Sequence, residues 1–369
     1  MKRAALFACL LGVTACSSNT VTDTESSTTV SEDTTISMAF VGDILPHSPL
    51  VNQAQRNAAA TGNVDGYDFS PMFADITPLI ASADLAICHL ETPIAPQGEE
   101  LSTFPFFGVP PDITEAIAKA GFDRCSTASN HTYDRGLSGI DTTINALLDQ
   151  GVAQSGMART PNEIEPQVFS IKGVTLSHLS YTFSYNGLSL PQDQEWRSAL
   201  IDTDRILRDA KTARQLGAEV VIVSMHWGNE MSHELNSQQT KVADALTKSG
   251  DVDLIVGHHA HVVQPIEKVN GVWVMYGMGN VLSNLPTDER WPASSQDAGV
   301  FTITMRRDTG GKAVFATPVV YPTWVDKDND WVIRNINENL RGKTPGINAN
   351  ELEQSLRRTT RVLGEFITP

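Results

Sequence analysis

Past residue 36 the chain alternates short apolar runs with stretches of helical spacing. The runs at 36–41, 84–88, 123–128, 219–225 and 253–256 have the length and bounding polar or glycine residues of buried strands. The intervening stretches at 69–82, 112–120, 137–148, 202–216 and 237–248 predict helices, with Gly121 as the stop signal of the second. Three hairpins follow from turn chemistry: 168–171 with 174–180 around Lys172-Gly173, 262–269 with 272–276 around Asn270-Gly271, and 299–306 with 313–321 around Thr309-Gly310-Gly311. A polar amphipathic helix over 350–363 closes the chain. Strand and helix alternate, hairpins come late, and no repeat is present. The expected class is α/β, layered, with mixed sheets.

The N-terminus has a different pattern. Lys2 and Arg3 precede an apolar run over 4–13 that is too short to span a bilayer, which reads as an export signal. It ends in Val13-Thr14-Ala15-Cys16, an order that resembles the lipobox of bacterial lipoproteins. The expectation is a signal peptide over 1–15, cleavage before Cys16, and a lipid on that cysteine that anchors the protein to the cell membrane on its extracytoplasmic side. Residues 16–34, rich in Ser and Thr, predict a disordered tether. A folded domain is expected over 35–325 and a C-terminal extension over 326–369.

Composition narrows the partners. With 41% hydrophobic residues in 369, the chain can bury a sizeable core. A formal net charge of −16 argues against nucleic acid and against adhesion to anionic lipid by charge alone. Of four cysteines, Cys9 lies in the signal and Cys16 at its end. Cys88 and Cys125 are left for one bridge in an oxidising compartment, although spacing alone does not bring them together.

The candidate chemistry sits where the apolar runs stop. Five such ends carry Asp43 and His47; His89 and Glu91; Asn130, His131 and Asp134; His226 and Glu230; and His259 and His261. His259 and His261 are two apart, so an extended or turning backbone points both to one side. Polar residues beyond the C-terminal ends of several strands predict one site on one edge of a sheet. Asn280 follows the glycines of Gly277-Met278-Gly279, which let backbone approach that site closely. Carboxylate, amide oxygen and imidazole, without thiolate, suit Mn, Zn or Fe ions. Two such ions would clamp a phosphoryl or acyl centre.

Six stretches, taken together, resemble the poly-γ-glutamate biosynthesis (CapA/PgsA) family, whose domain is similar to the calcineurin-type metallophosphatases. They are Phe40-Val41-Gly42-Asp43; Ala83-Asp84-Leu85 with Leu90-Glu91-Thr92; Ala128-Ser129-Asn130-His131 with Asp134-Arg135-Gly136; His226-Trp227-Gly228-Asn229-Glu230; Gly257-His258-His259-Ala260-His261; and Tyr276-Gly277-Met278-Gly279-Asn280. The resemblance implies a layered α/β/β/α fold with C-terminal β-hairpins. It also implies divalent metals at Asp43 and His261 on one side and at Asn130, His226 and His259 on the other. Glu91 would bridge them, and His131 with Asp134 would form the proton-donating pair. His47, His89, Glu230 and Asn280 are further candidates. His89 stands where the family usually has Asn, and His47, four residues after Asp43, is the nearest match to an Asp-x-His opening. The family's role implies a membrane-tethered protein of polymer synthesis or export, with an anionic polymer or phosphoester as substrate and membrane synthase subunits as partners. A metal-dependent hydrolase or transferase is the first expectation, and a non-catalytic polymer-binding or scaffold subunit is the alternative.

Overall fold

Apolar runs become strands and helical spacings become helices in a computed structural model that describes residues 34–288, 290–308 and 310–368. The export signal, Cys16 and the tether up to residue 33 lie outside the described residues. The first half carries β1 (Thr35–Leu45), α1 (Ser48–Ala60), α2 (Thr77–Ala81), β2 (Leu85–Leu90), α3 (Asp112–Ala120), β3 (Arg124–Ser126), α4 (Gly136–Asp149) and β4 (Ala153–Ser155). Then come β5 (Val168–Ile171), β6 (Val174–Thr182), α5 (Thr203–Gln215), β7 (Val220–His226), α6 (Ser237–Lys248), β8 (Leu254–His258), β9 (Ile266–Val269) and β10 (Val272–Met275). The last part holds β11 (Leu282–Ser283), β12 (Asp297–Arg307), β13 (Ala313–Phe315), β14 (Val319–Asp326), β15 (Val332–Asn335), α7 (Ile336–Gly342) and α8 (Ala349–Leu363).

The strands form two mixed sheets. The first runs β15-β14-β12-β1-β2-β3-β4, with β11 also paired to β1 and β13 to β12. The second runs β5-β6-β7-β8-β10-β9. Strands β1 to β4 are mutually parallel, as are β6, β7, β8 and β10, whereas the hairpin strands are antiparallel. Alternation then decides the layers. Met38, Phe40, Leu85 and Ile87 of the first sheet face Leu176, Ile222 and Val256 of the second. On the far side of the first sheet, Ala39, Val41 and Ala86 pack against α1 and α3 through Leu50, Ala54, Ile113 and Ile117. On the far side of the second, Val221, Val223 and Ile255 pack against α5 and α6 through Ile206, Ala210, Val242 and Leu246. The result is the helix–sheet–sheet–helix layering expected of a metallophosphatase-like fold.

Residues 326–368 pack onto the rest of the domain: β15 extends the first sheet, Trp324 packs with Ile336 and Leu352, and the Arg358 guanidinium donates to both oxygens of Asp297. Cys88 and Cys125 are register partners on β2 and β3, and a disulfide joins them.

One irregularity positions the site. Asp43 does not follow the end of the first strand, as the apolar run suggested; it lies inside β1, which continues to Leu45. Phe40 pairs with Ile87 and Asp43 with His89, so β1 uses three steps where β2 uses two. This bulge carries Asp43 onto the face of Phe40, which plain alternation forbids over an odd separation. Toward the C-terminal ends of the parallel strands, the inner face thus changes from apolar to polar. Ile87 gives way to His89, Ile222 to Ser224 and His226, and Val256 to His258.

Candidate metal centre

Parallel strands in both sheets end at one edge, and five of them deliver side chains there. Asp43 of β1 places Oδ1 3.3 Å from His258 Nδ1 and Oδ2 3.2 Å from His261 Nδ1, and Oδ2 also accepts the His259 backbone N–H at 3.1 Å. Glu91, just past β2, sits with Oε1 3.8 Å from His226 Nε2 and 3.7 Å from His261 Nε2. His226, the last residue of β7, faces Asn130 Oδ1 through Nε2 at 2.9 Å and His89 Nε2 through Nδ1 at 2.9 Å. His89 is held from behind by the Ser126 hydroxyl at 2.8 Å and stacks on His258 at 4.0 Å. His261 Nδ1 lies 2.8 Å from Asn280 Oδ1, whose amide nitrogen donates to the carbonyls of His261 and Ser295.

The histidine turn does not work by alternation. His259 and His261 both have left-handed backbone, with φ of 85° and 56°. Strain of this kind persists only where surroundings impose it. Here the His259 N–H bond to Asp43 and the grip of Asn280 on the His261 ring and carbonyl impose it. Glycine makes room beneath: a Cβ on Gly257 would stand 1.9 Å from the Tyr276 carbonyl oxygen, and one on Gly42 would stand 2.0 Å from that of Gly279.

The donors fall into overlapping groups whose ligand atoms lie within 4.8 Å of one another: Asp43, Glu91 and His261; Glu91, His226 and His259; Asp43, His89 and His258; Glu230, His259 and His261. Glu91 belongs to the first two. All these residues are buried except Glu230, which is exposed at the rim. Both Glu91 oxygens and Nδ1 of His258 and His259 lack any hydrogen-bond partner. A fully buried carboxylate left bare costs several kcal/mol, and a divalent cation is the partner this donor set fits.

Three of the histidines are held in the neutral form that a metal needs. Burial holds His89 and His226 well below the usual imidazole range, and the neighbouring histidines push the same way. Burial also brings His259 down to about 3. All three are therefore neutral, the form in which imidazole ligates a metal. Burial raises Asp43, yet the His258 and His261 imidazoles beside it overcome that and hold the carboxyl well below its usual range. Burial opposes charge on His261, but Glu91 and Asp43 overcome it and lift the imidazole to about 10. Burial pushes Glu91 well above the ordinary carboxylate value, with Asp43 adding to it.

Beside this cluster, His131 Nδ1 pairs with Asp134 Oδ2 at 2.7 Å, and the same oxygen accepts the Phe107 N–H at 2.7 Å. His47 belongs to none of the ligand groups. It precedes α1, its Nδ1 accepts from the Asn284 N–H at 3.2 Å, and its ring meets the face of Phe107. Sequence reasoning passed over His258, although Leu254, Val256 and His258 share one face of β8 and alternation points it inward. It also missed the loop after β6, where Phe183 lies 4.4 Å from His259 between ring centroids and Asn186 reaches toward His131. That contact has no local signal in the sequence.

Residues 37–285 match the family described as bacterial capsule synthesis protein PGA_cap. The chain belongs to this family. PGA biosynthesis protein CapA of Bacillus subtilis strain 168 is 24% identical over 305 residues, covering 80% of this chain and 76% of that one. The capsule biosynthesis protein CapA of Bacillus anthracis is 24% identical over 275 residues, 72% of this chain, which spans 63% of that relative's length. Among solved structures, the calcineurin-like phosphoesterase YfkN of Bacillus subtilis aligns over 89% of this chain and 98% of its own at 13% identity, with a TM-score of 0.41.

Proposed function

We propose that this PGA_cap protein is a metal-dependent hydrolase or transferase of surface-polymer synthesis or export, held at the extracytoplasmic side of the membrane by lipid on Cys16. The observation that carries the catalytic part is Glu91, a buried carboxylate with no hydrogen-bond partner, shared by two ligand groups. Asp43, Glu91 and His261 would hold one ion, and Glu91, His226 and His259, with the Asn130 amide oxygen, a second. Mn²⁺, Zn²⁺ and Fe²⁺ suit these donors. When bound, such ions supply Lewis acidity at a phosphoryl or acyl oxygen.

The chain's own residues do the rest. His89 orients His226 through Nδ1, leaving Nε2 beside the Asn130 amide oxygen as the ligand atom, and Asp43 with Asn280 orients His261 through Nδ1. Asp134 fixes His131 with Nδ1 as the bonded nitrogen, leaving Nε2 as the atom that gives a proton to a leaving group. Phe183 keeps water off the His259 side. The relatives' capsule and PGA names support an anionic polymer as substrate, with a phosphoester as the other class to assay. The Cys88–Cys125 disulfide supports an oxidising, extracytoplasmic location. Among the described residues no helix is long and apolar enough to cross a membrane, so attachment would rest on the N-terminal lipid.

The test is elemental analysis of the purified protein beside Glu91→Gln and His259→Ala/His261→Ala, with phosphoester and γ-glutamyl hydrolysis assayed on each. About two ions per wild-type chain, lost together with hydrolysis in the variants, is the expected result. A wild-type protein that takes up no metal under loading overturns the reading.

A further inference from the structure

The loop after β6 has two faces. Phe183 and Asn186 turn toward the metal centre, and Tyr185 between them turns away. Tyr185 lines a separate cavity of about 310 Å³, within the size range of small-ligand sites, together with Leu188, Ser198 and Leu200, with Glu195 and Arg205 also on its wall.

Its polar groups are unusual. Tyr185 is 5% exposed and Ser198 1%; the two hydroxyls lie against each other, and neither has a well-aligned partner. A buried hydroxyl without a well-aligned partner is destabilising unless something in the cavity satisfies it. Burial pushes the Tyr185 phenol up to about 12 against the pull of the Ser198 hydroxyl beside it, so it stays a proton donor at neutral pH. Arg205 touches Asp209 only through Nε, at 3.5 Å, and its terminal nitrogens have no hydrogen bond among the described residues. Leu188 and Leu200 remain 38% and 46% exposed, an uncovered apolar wall beside these donors.

We propose that this cavity is a subsite for an aminoacyl unit with a free carboxylate. The Tyr185 and Ser198 hydroxyls donate to the two carboxylate oxygens, and Arg205 supplies the countercharge. Leu188 and Leu200 cover the methylene carbons, and Glu195 accepts the adjacent amide or ammonium N–H. Because Tyr185 neighbours Asn186 in the chain, such a unit would sit one loop's thickness from the metal centre. Its role as a polymer subsite rests on the function proposed above; the carboxylate chemistry does not.

The experiment is a calorimetric titration of the metal-loaded full-length protein with N-acetylglutamate, with its diester and inorganic phosphate as controls. Tyr185→Phe and Ser198→Ala are measured alongside, because each removes one hydroxyl with little change of shape. Saturable binding of the acid alone, weakened at least about tenfold by each variant at unchanged metal content, is expected. Binding that the variants or the diester reproduce equally, or no saturable binding, overturns the proposal. Metal content separates the two ideas. Hydroxyl-dependent binding in a protein that takes up no metal keeps the subsite and removes the hydrolase, and full metal content without binding does the reverse.

Discussion

His131 shows how much one side chain depends on its neighbours. Its Nδ1 is committed to Asp134, whose Oδ2 is also held by the Phe107 N–H. The ring is 7% exposed, so it reaches the site while staying oriented. His131→Asn should lower kcat by about 10²-fold or more without changing metal content. Asp134→Asn should fall short of that loss, because the ring remains but its orientation and basicity change. Steady-state hydrolysis with parallel metal analysis checks both, and equal metal loss in either variant would move His131 into the ligand set. The role of His131 was legible from Asn130-His131 and Asp134 in one turn. The Phe107 contact was not, because it joins residues 27 apart through a loop with no regular spacing.

Among the elements, α6 links local sequence to the site most directly. Asn236 accepts the Gln239 N–H at 2.9 Å, and the Gln239 side chain returns a bond to the Asn236 N–H at 3.0 Å, forming a capping box. Gln239 Nε2 also donates to Gln264 Oε1 at 2.7 Å, deep in the protein, and Gln264 pairs with the backbone of Gly277. Asn236→Ala should therefore cost about 1 kcal/mol, the usual worth of a cap. Gln239→Ala should cost more, roughly 2–3 kcal/mol, because it also strands a buried amide on Gln264. Denaturant unfolding of both variants checks the ranking, and equal losses would mean the Gln264 bond contributes nothing. The span of α6, 237–248, was readable in full from its periodicity. Helix α1 was not anticipated, although Leu50, Val51, Ala54 and Ala58 line its buried side. Its alanine-rich, weakly apolar sequence gives little contrast between faces.

At the scale of the whole molecule, the space between the sheets sets the response to acid. His178 of β6 lies there, 3% exposed, bonded through Nε2 to the Ser224 hydroxyl at 2.8 Å. Burial, then Arg124 and His258, hold it well below the usual imidazole range. The folded protein keeps this ring neutral, whereas the unfolded chain protonates it below about pH 6.5. Unfolding then takes up a proton, so the contribution is full above that pH and falls as the pH drops, by up to about 1.4 kcal/mol per pH unit. His178→Gln should flatten the acid slope of unfolding free energy between about pH 7 and pH 5 by that amount. An unchanged slope would mean His178 is protonated in the folded state.

The sequence by itself determined the kinds of element, most of their spans, the hairpins, and the set of polar residues placed where apolar runs end. These are local properties: periodicity, turn chemistry and capping act over a few residues, so they can be read without knowing what packs where. Pairing and register belonged to the tertiary structure alone. The bulge that turns Asp43 inward exists only because β1 must match β2, and the Cys88–Cys125 bond only because β2 and β3 align in register. His258 entered the site because two sheets face each other, and Phe183 and Asn186 because a loop folds back over the strand ends. Glu91 illustrates both halves. Its position after an apolar run marked it as a candidate, but only closure of the two sheets buried it beside His226, His259 and His261 and left its oxygens without a partner.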